Sequence, residues 1–516
     1  MDSSKLKSQL SQLCGHTGEL MAALICLQPL LDVLSYFMID LAATHITTAL
    51  RTVMLFVVCA YGFAVSSRKR VHLIAYGLLA AYWLFHALNC LRIGYKDPLS
   101  DVGEYLKLVQ LPLWTLAFIS FFRAKPKLDA SVTALLTLNF LLVMLIIALS
   151  YLTGRPEYTY SGIKIGLLGW FAVPTAQSAI VSMLCLGMLL WAYLTQKLWV
   201  FTAASLFGFG LLYCTATRLT YFSAMLIAAG MLVLIIISAA GKGSGKNHGW
   251  ASTWLFVLPL IAALAVFVAL RGVSPMTQRR EAANDSYLRY QRSTDRIMGD
   301  DKDYLFSGGQ VPDEIYEKIL RVYQQVYGEP DQHGQPLLGD LLDRFGPQRV
   351  IEAYNYSIDA KVLYHTRTRK LMMLELTWED QDMLTHLLGF EYGNAIVGDN
   401  IYDPENDFPA LLYYYGWLGA GLYCCFAAYF ILTVIFGTLK NLRRLSDFLT
   451  VELGVYTMIL VLGLGAAQFS GNVIRRPSVT VYMSLAAAEI YCLTHSGGGK
   501  LTARFRRRPG VTMKQL

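Results

Sequence analysis

The chain has 516 residues, of which 55% are hydrophobic and 16% charged, and its mean hydropathy is positive. That composition excludes an ordinary soluble globular protein and points to a chain that spends most of its length in lipid. The net charge of +8 comes from short basic segments beside apolar runs, which excludes the extended basic patch of a nucleic-acid binder.

A polar arm, residues 1–17, opens the chain. About twelve apolar runs follow, each near the ~20 residues that cross the hydrocarbon core as a helix. They lie near 18–37, 43–65, 71–91, 104–122, 131–153, 174–195, 199–217, 219–240, 251–270, 410–437, 452–470 and 478–495. The first contains Pro29 and Asp32, lacks a small-residue cleavage site and precedes further spans, so it reads as a span rather than a cleaved signal.

The connections SSRKR (66–70), FRAKPK (122–127), GKGSGKNHG (241–249) and LKNLRRLSD (439–447) and the tail KLTARFRRRPG (500–510) are basic. With twelve spans and the N-terminus inside, all five fall on the cytoplasmic side, as the positive-inside tendency requires. The one long polar segment, about 271–408, then lies outside. It holds 24 Asp and Glu against 15 Lys and Arg, leaving 12 against 29 in the rest of the chain. Its runs VPDEIYEKILRVYQQVYG (311–328), LLGDLLDRFG (337–346) and RKLMMLELTWEDQDMLTHLLG (369–389) repeat apolar residues at helical spacing. None of the nine cysteines falls in this segment, and no Cys/His spacing suggests zinc. Strand signals are weak throughout. The expected fold is all-α: a polytopic bundle of about twelve membrane helices, carrying one large, mostly helical external domain over 271–408. Three spans over 409–495 and a basic tail over 496–516 complete it.

Ionisable side chains within or beside spans are costly, and so mark candidate sites. Asp32 in LQPLLDVLSY (27–36) and Arg51 in TTALRTVML sit inside the first two spans, where a structural ion pair and a role in the site are both open. Arg218 in YCTATRLTYFSA (213–224) stands at a tight external turn among hydroxyls, where a guanidinium holds a phosphate through two parallel hydrogen bonds. GNVIRRPSV (471–479) sets Arg475 and Arg476 on a second external turn. YHTRTRKLMM (364–373) adds His365, Arg367, Arg369 and Lys370. ENDFPALLYYYGWLGAG opens a span with Glu405, Asn406 and Asp407, which serve either as a helix start or as chemistry held at the membrane surface.

Together these segments resemble the superfamily of O-antigen ligases and Wzy-type O-antigen polymerases. CTATRLTYFSA resembles its small/hydroxyl-Ser/Thr-Arg-Gly motif, with Arg218 as the arginine. TRTRK to THLLGFEYGN (366–394) resembles the loop in which an arginine precedes a P-L-L-G-x-G element, and both Arg367 and Arg369 fit that arginine. ENDFPALLYYYGWLG resembles the H-N-x-Y-L … G-x-x-G segment entering the next span. LQPLLD (27–32) and GWFAVPTAQSA (169–179) match more loosely. Two departures stand out: Glu405 occupies the position of the loop histidine, and Leu219 replaces the small residue after the arginine. The form of the last motif is similar to that of distant members from Gram-positive bacteria, involved in capsule or cell-wall polysaccharide.

The resemblance implies a GT-C-like membrane glycosyltransferase of the bacterial cytoplasmic membrane, with both termini inside. It would polymerise or ligate glycans carried on polyprenyl diphosphate at the outer face, with a glycan, lipid or wall anchor as acceptor and no metal or other cofactor. Departure of the lipid diphosphate builds negative charge that preorganised cations stabilise. That role falls to Arg218, with Arg367 or Arg369 and then Arg475 and Arg476 as partners and Asn406 beside them. The attacking sugar hydroxyl needs a proton acceptor, for which Glu405 and Asp407 are the candidates. A lipid-linked-oligosaccharide flippase is the alternative from another class; it would gather charges in a central cavity and would not need a large external domain. A glycosyltransferase of the mannosyltransferase type would carry an acidic motif in the first external loop, where only Asp40 stands.

Overall fold

A computed structural model of the protein describes residues 15–41, 44–241, 254–303, 311–331, 334 and 337–495. Most of the N-terminal arm, the Gly/Ser/Lys loop from residue 242 and the tail from residue 496 lie outside the described residues. The chain divides into two units. The span unit comprises Met1–Ala80, Leu106–Thr277 and Cys424–Leu516; the loop unit comprises Ala81–Tyr105 and Gln278–Tyr423.

Among the described residues nine helices are long and apolar enough to cross a membrane: Thr17–Ile39, His45–Val65, Lys69–Ile93, Pro98–Ala124, Ser131–Leu152, Pro174–Leu194, Arg218–Ala240, Asp407–Lys440 and Val451–Phe469. Three further runs of the expected twelve are helices of a different kind. Leu198–Cys214 and Val257–Ala269 are apolar but only 17 and 13 residues long. Pro477–His495 has 19 residues but carries Ser478, Thr480, Ser484 and Glu489, all buried in the protein rather than turned to lipid.

Within the span unit Pro174–Leu194 is the central helix, buried on nearly every side. Small residues set its neighbours close: a Cβ on Gly187 would meet Leu136 Cβ at 2.6 Å, and one on Gly208 would meet Cys185 Sγ at 2.7 Å. Close backbone approach of this kind replaces the hydrophobic drive that lipid removes. The outer helices turn Phe56, Leu78 and Phe222 outward, each more than half exposed, as a lipid-facing surface does.

The loop unit has its own core, in which Tyr323, Tyr327, Leu338, Leu341, Val350 and Ile351 are fully buried. Its helices include Pro275–Met298 (which begins in the span unit), Asp313–Gln325, Gly339–Phe345, Pro347–Ala353 and Thr366–Glu379. The run 369–389, expected as one helix, is two. Thr366–Glu379 ends where Arg349 holds both Glu379 and Asp380, and Asp382 then caps Met383–Leu388 by accepting the Thr385 amide at 3.0 Å. Two small antiparallel hairpins escape the sequence pattern: Tyr158–Tyr160 with Ile165–Leu167, and Ile396–Val397 with Asn400–Ile401.

The helix Asp407–Lys440 is broken at Gly416, whose φ of 61° and ψ of −177° lie outside helical geometry. Gly389 fits against that break: a Cβ there would sit 2.2 Å from the Tyr414 carbonyl, and one on Gly416 would sit 2.4 Å from the Leu387 carbonyl. Both positions have positive φ, so glycine is required twice over. The carbonyls released by the break are taken up, since the Phe390 amide donates to Tyr413 O at 3.1 Å and Tyr82 Oη donates to Tyr415 O at 2.6 Å.

Candidate functional site

In the loop unit, Thr366–Glu379 starts at His365, whose ring caps it by accepting the Thr368 amide. One residue into that helix, Arg367 Nε donates to Glu405 Oε2 at 2.6 Å, with the side chains 34% and 28% exposed. The polar triplet before the membrane helix is therefore partly engaged. Asn406 precedes the helix but its Oδ1 is buried without a hydrogen-bond partner, so it does not serve as a side-chain cap. Asp407, in the first helical turn, is completely buried.

Arg369 lies two residues from Arg367 yet is only 3% exposed. Burial pushes its guanidinium below the ordinary arginine value, against the opposing pull of Tyr402, Tyr354, Asp331 and Asp340, and its Nε has no partner. The two loop arginines are thus physically distinct: one reaches an accessible carboxylate, the other is packed in the domain.

The same unit contains a clamp that sequence reasoning missed. Tyr82, His86 and Asn89, at helical spacing on Lys69–Ile93, hold the backbone of Leu388 and Gly389: His86 Nδ1 lies 2.8 Å from Leu388 O, and Asn89 Nδ2 donates to Gly389 O at 2.9 Å. One turn on, Arg92 grips Asp382 through two nitrogens, at 2.6 and 2.8 Å. His86 Nε2 faces Asp101 at 3.2 Å, and fully buried Glu391 accepts the amides of Lys96 and Asp97. A polar stripe inside an apolar span was the available signal, because such groups must find partners within the protein.

In the span unit, Arg218 is the exposed first residue of Arg218–Gly241, a cation at the positive end of the helix dipole. The turn before it is braced. Ala216 adopts φ 68°, Thr159 Oγ1 donates to Thr215 O at 2.7 Å, and Thr217 Oγ1 donates to Ser178 Oγ at 2.9 Å. A left-handed alanine costs about 1–2 kcal/mol, a strain these bonds hold in place. Elsewhere in the unit, Arg51 Nη2 contacts Asp32 Oδ1 at 2.5 Å, and Arg476 lines the same cavity as that pair. Arg475 is buried, at 5% exposure. Among the described residues no three His, Cys, Asp or Glu side chains gather as metal ligands.

These features define a polytopic, all-α membrane protein with paired and exposed arginines at its helix ends. The family model described as O-antigen ligase like membrane protein matches residues 15–493, and the chain belongs to that family. Membership places it among membrane glycan ligases and polymerases, which take a lipid-linked glycan and an acceptor. No curated protein and no solved structure matches it.

Proposed function

We propose that the protein is a metal-independent glycosyltransferase of the cytoplasmic membrane. It polymerises or ligates glycans delivered on undecaprenyl diphosphate at the outer face, on a GT-C-like bundle with both termini inside. The segment about 271–408 is its external domain, between nine spans and three. The observation that carries the reading is the meeting of Arg367 and Glu405 in a chain whose family transfers glycans within membranes.

In this mechanism Arg218, with Arg475 and Arg476 in supporting roles, stabilises the charge that grows on the departing lipid diphosphate. Glu405 takes the proton of the attacking sugar hydroxyl, and Arg367 fixes its orientation. The partial exposure of Glu405, against complete burial of Asp407, supports Glu405 as the acceptor. The same contrast favours Arg367 over Arg369 for contact with substrate.

The test uses purified protein in detergent with a polyprenyl-diphosphate oligosaccharide pool and EDTA throughout. Wild type, Arg218→Ala and Glu405→Gln are followed for glycan length and free lipid diphosphate. Chain growth or single transfer by wild type, lost in both variants, is expected, and the product pattern separates polymerase from ligase. Absence of lipid diphosphate release, with transport of the lipid in reconstituted vesicles, would overturn the reading.

A further inference from the structure

The short helix Met383–Leu388 of the loop unit has its polarity inside out. Its inner side carries Thr385, fully buried, and Leu388. Its outer side carries Met383, at 70% exposure, with Leu384 and Leu387 exposed beside it. A helix on a domain surrounded by water turns polar residues outward. Large apolar side chains gathered on one outer face mark an interaction surface instead.

Two membrane helices fix the level at which this face lies. Near the end of the span Lys69–Ile93, Asn89 Nδ2 donates to Thr385 Oγ1 at 3.3 Å. Arg92 Nη2 donates to the same oxygen at 3.1 Å and also holds Asp382, the cap of the short helix. At its other end the helix meets the break in Asp407–Lys440. The Leu387 carbonyl lies against Gly416, and the His386 ring stands 5.5 Å from that of Trp417, the first residue past the break. One span therefore ends, and another begins, where Met383–Leu388 sits.

The chemistry at this level is that of a lipid boundary. Trp378 and Trp417 flank His386, with ring centroids 4.5 and 5.5 Å away. Tryptophan concentrates at the headgroup level of a bilayer, where one edge of the ring is wet and the body is not. Past Trp417, exposed Leu418 and Leu422 carry an apolar surface along the spanning helix, and Met383, Leu384 and Leu387 continue it. The neighbouring charges, Arg92 and Asp382, are paired with each other, so the face offers hydrocarbon contact rather than a charge for an anionic headgroup.

We propose that Met383–Leu388 is a membrane-seated helix, which lays Met383, Leu384 and Leu387 against acyl chains at the bilayer boundary. Its partner is the bilayer itself. This part of the polar segment 271–408 then rests in lipid, although the segment as a whole reads as a water-exposed domain. None of these residues belongs to the transfer site proposed above, and the inference needs the membrane spans but not the reaction.

The experiment reads lipid contact position by position. Full-length protein is reconstituted in nanodiscs of dioleoylphosphatidylcholine, or of that lipid mixed with phosphatidylglycerol. The photoreactive residue p-benzoylphenylalanine is placed in turn at Met383, at Leu387, at Leu422 on the span, and at Glu314, an 85% exposed side chain elsewhere in the loop unit. After irradiation, intact mass reports what each position has captured. Met383 and Leu387 should gain the mass of a phospholipid in both kinds of disc, as Leu422 does, and Glu314 should not. Three results would each overturn the proposal: no lipid adduct at Met383 and Leu387 while Leu422 forms one, adducts confined to discs containing phosphatidylglycerol, or cross-linking to a second copy of the chain in place of lipid. The unmodified chain supplies an independent reading. Hydroxyl radicals generated in the water phase convert accessible methionine to its sulfoxide. In nanodiscs Met383 should be oxidised no faster than Met372, which is only half-buried. Preferential oxidation of Met383 would place the face in water and overturn the proposal.

Discussion

Arg367 Nε and Glu405 Oε2 meet at 2.6 Å although 38 residues separate them in the chain. Each side chain is about one third exposed, and pairs so placed contribute about 0–1 kcal/mol to stability. Glu405→Gln should therefore leave the melting temperature nearly unchanged. If Glu405 is the proton acceptor, the same variant loses about 10²–10⁴-fold in turnover. Turnover and melting read on one preparation separate the two effects. A parallel loss of both would make the pair structural.

The two loop arginines should behave oppositely. Arg367→Gln is expected to reduce lipid diphosphate release sharply while folding is retained. Arg369→Met removes a buried, incompletely bonded charge and replaces it with a side chain of similar length, a change that is often neutral or stabilising. Its release rate should stay within about tenfold of wild type. A larger loss with an intact fold would show that Arg369, not Arg367, serves the substrate.

Tyr82→Phe isolates the clamp. It deletes only the hydroxyl that donates to Tyr415 O at 2.6 Å, leaving a buried carbonyl short of a donor at a cost of about 1–3 kcal/mol. The expected signature is faster amide exchange at residues 388–390 and 413–416. Unaltered protection there would mean that the Gly389–Gly416 contact holds without it.

Asp382 supplies a pH dependence. The Arg92 guanidinium, followed by the Thr385 hydroxyl and amide, holds its carboxyl well below the usual carboxylate range. A carboxyl depressed in the folded state adds stability above its unfolded pKa, about 3.9, and loses it as pH falls toward the folded value. The melting difference between wild type and Asp382→Asn should be constant from neutral pH to about 5 and shrink below about 4. A difference that grows on acidification would contradict the assignment.

The membrane helices were legible because twenty apolar residues in a row have few other uses. Pro477–His495 forms over the apolar run 478–495, and its Ser478, Thr480, Ser484 and Glu489 are buried within the protein. The arginines of the candidate site were legible one by one, as charges at helix ends. Their environments were not. Nothing in TRTRK distinguishes an arginine that reaches Glu405 from one enclosed in the domain two residues later. Arg92 with Asp382 and Glu391 with the Lys96–Asp97 amides join positions about three hundred residues apart, beyond the reach of any local periodicity. The stripe Tyr82, His86, Asn89 was visible in principle, at the 3.6-residue period of a helix face. Its partners are backbone atoms of a distant segment, which no sequence pattern names.

The break at Gly416 also settles an arithmetic of lengths. Unbroken, the 34 residues of Asp407–Lys440 would form a rod of about 51 Å at ~1.5 Å per residue, far longer than the ~30 Å hydrocarbon layer. Divided at Gly416, the 24 residues from Trp417 to Lys440 make about 36 Å, a length that a modest tilt accommodates. The nine residues Asp407–Tyr415 are released from the spanning task. The short piece ends at a carbonyl held by Tyr82 instead of by a further helical turn, and Glu405, just before it, is held by Arg367.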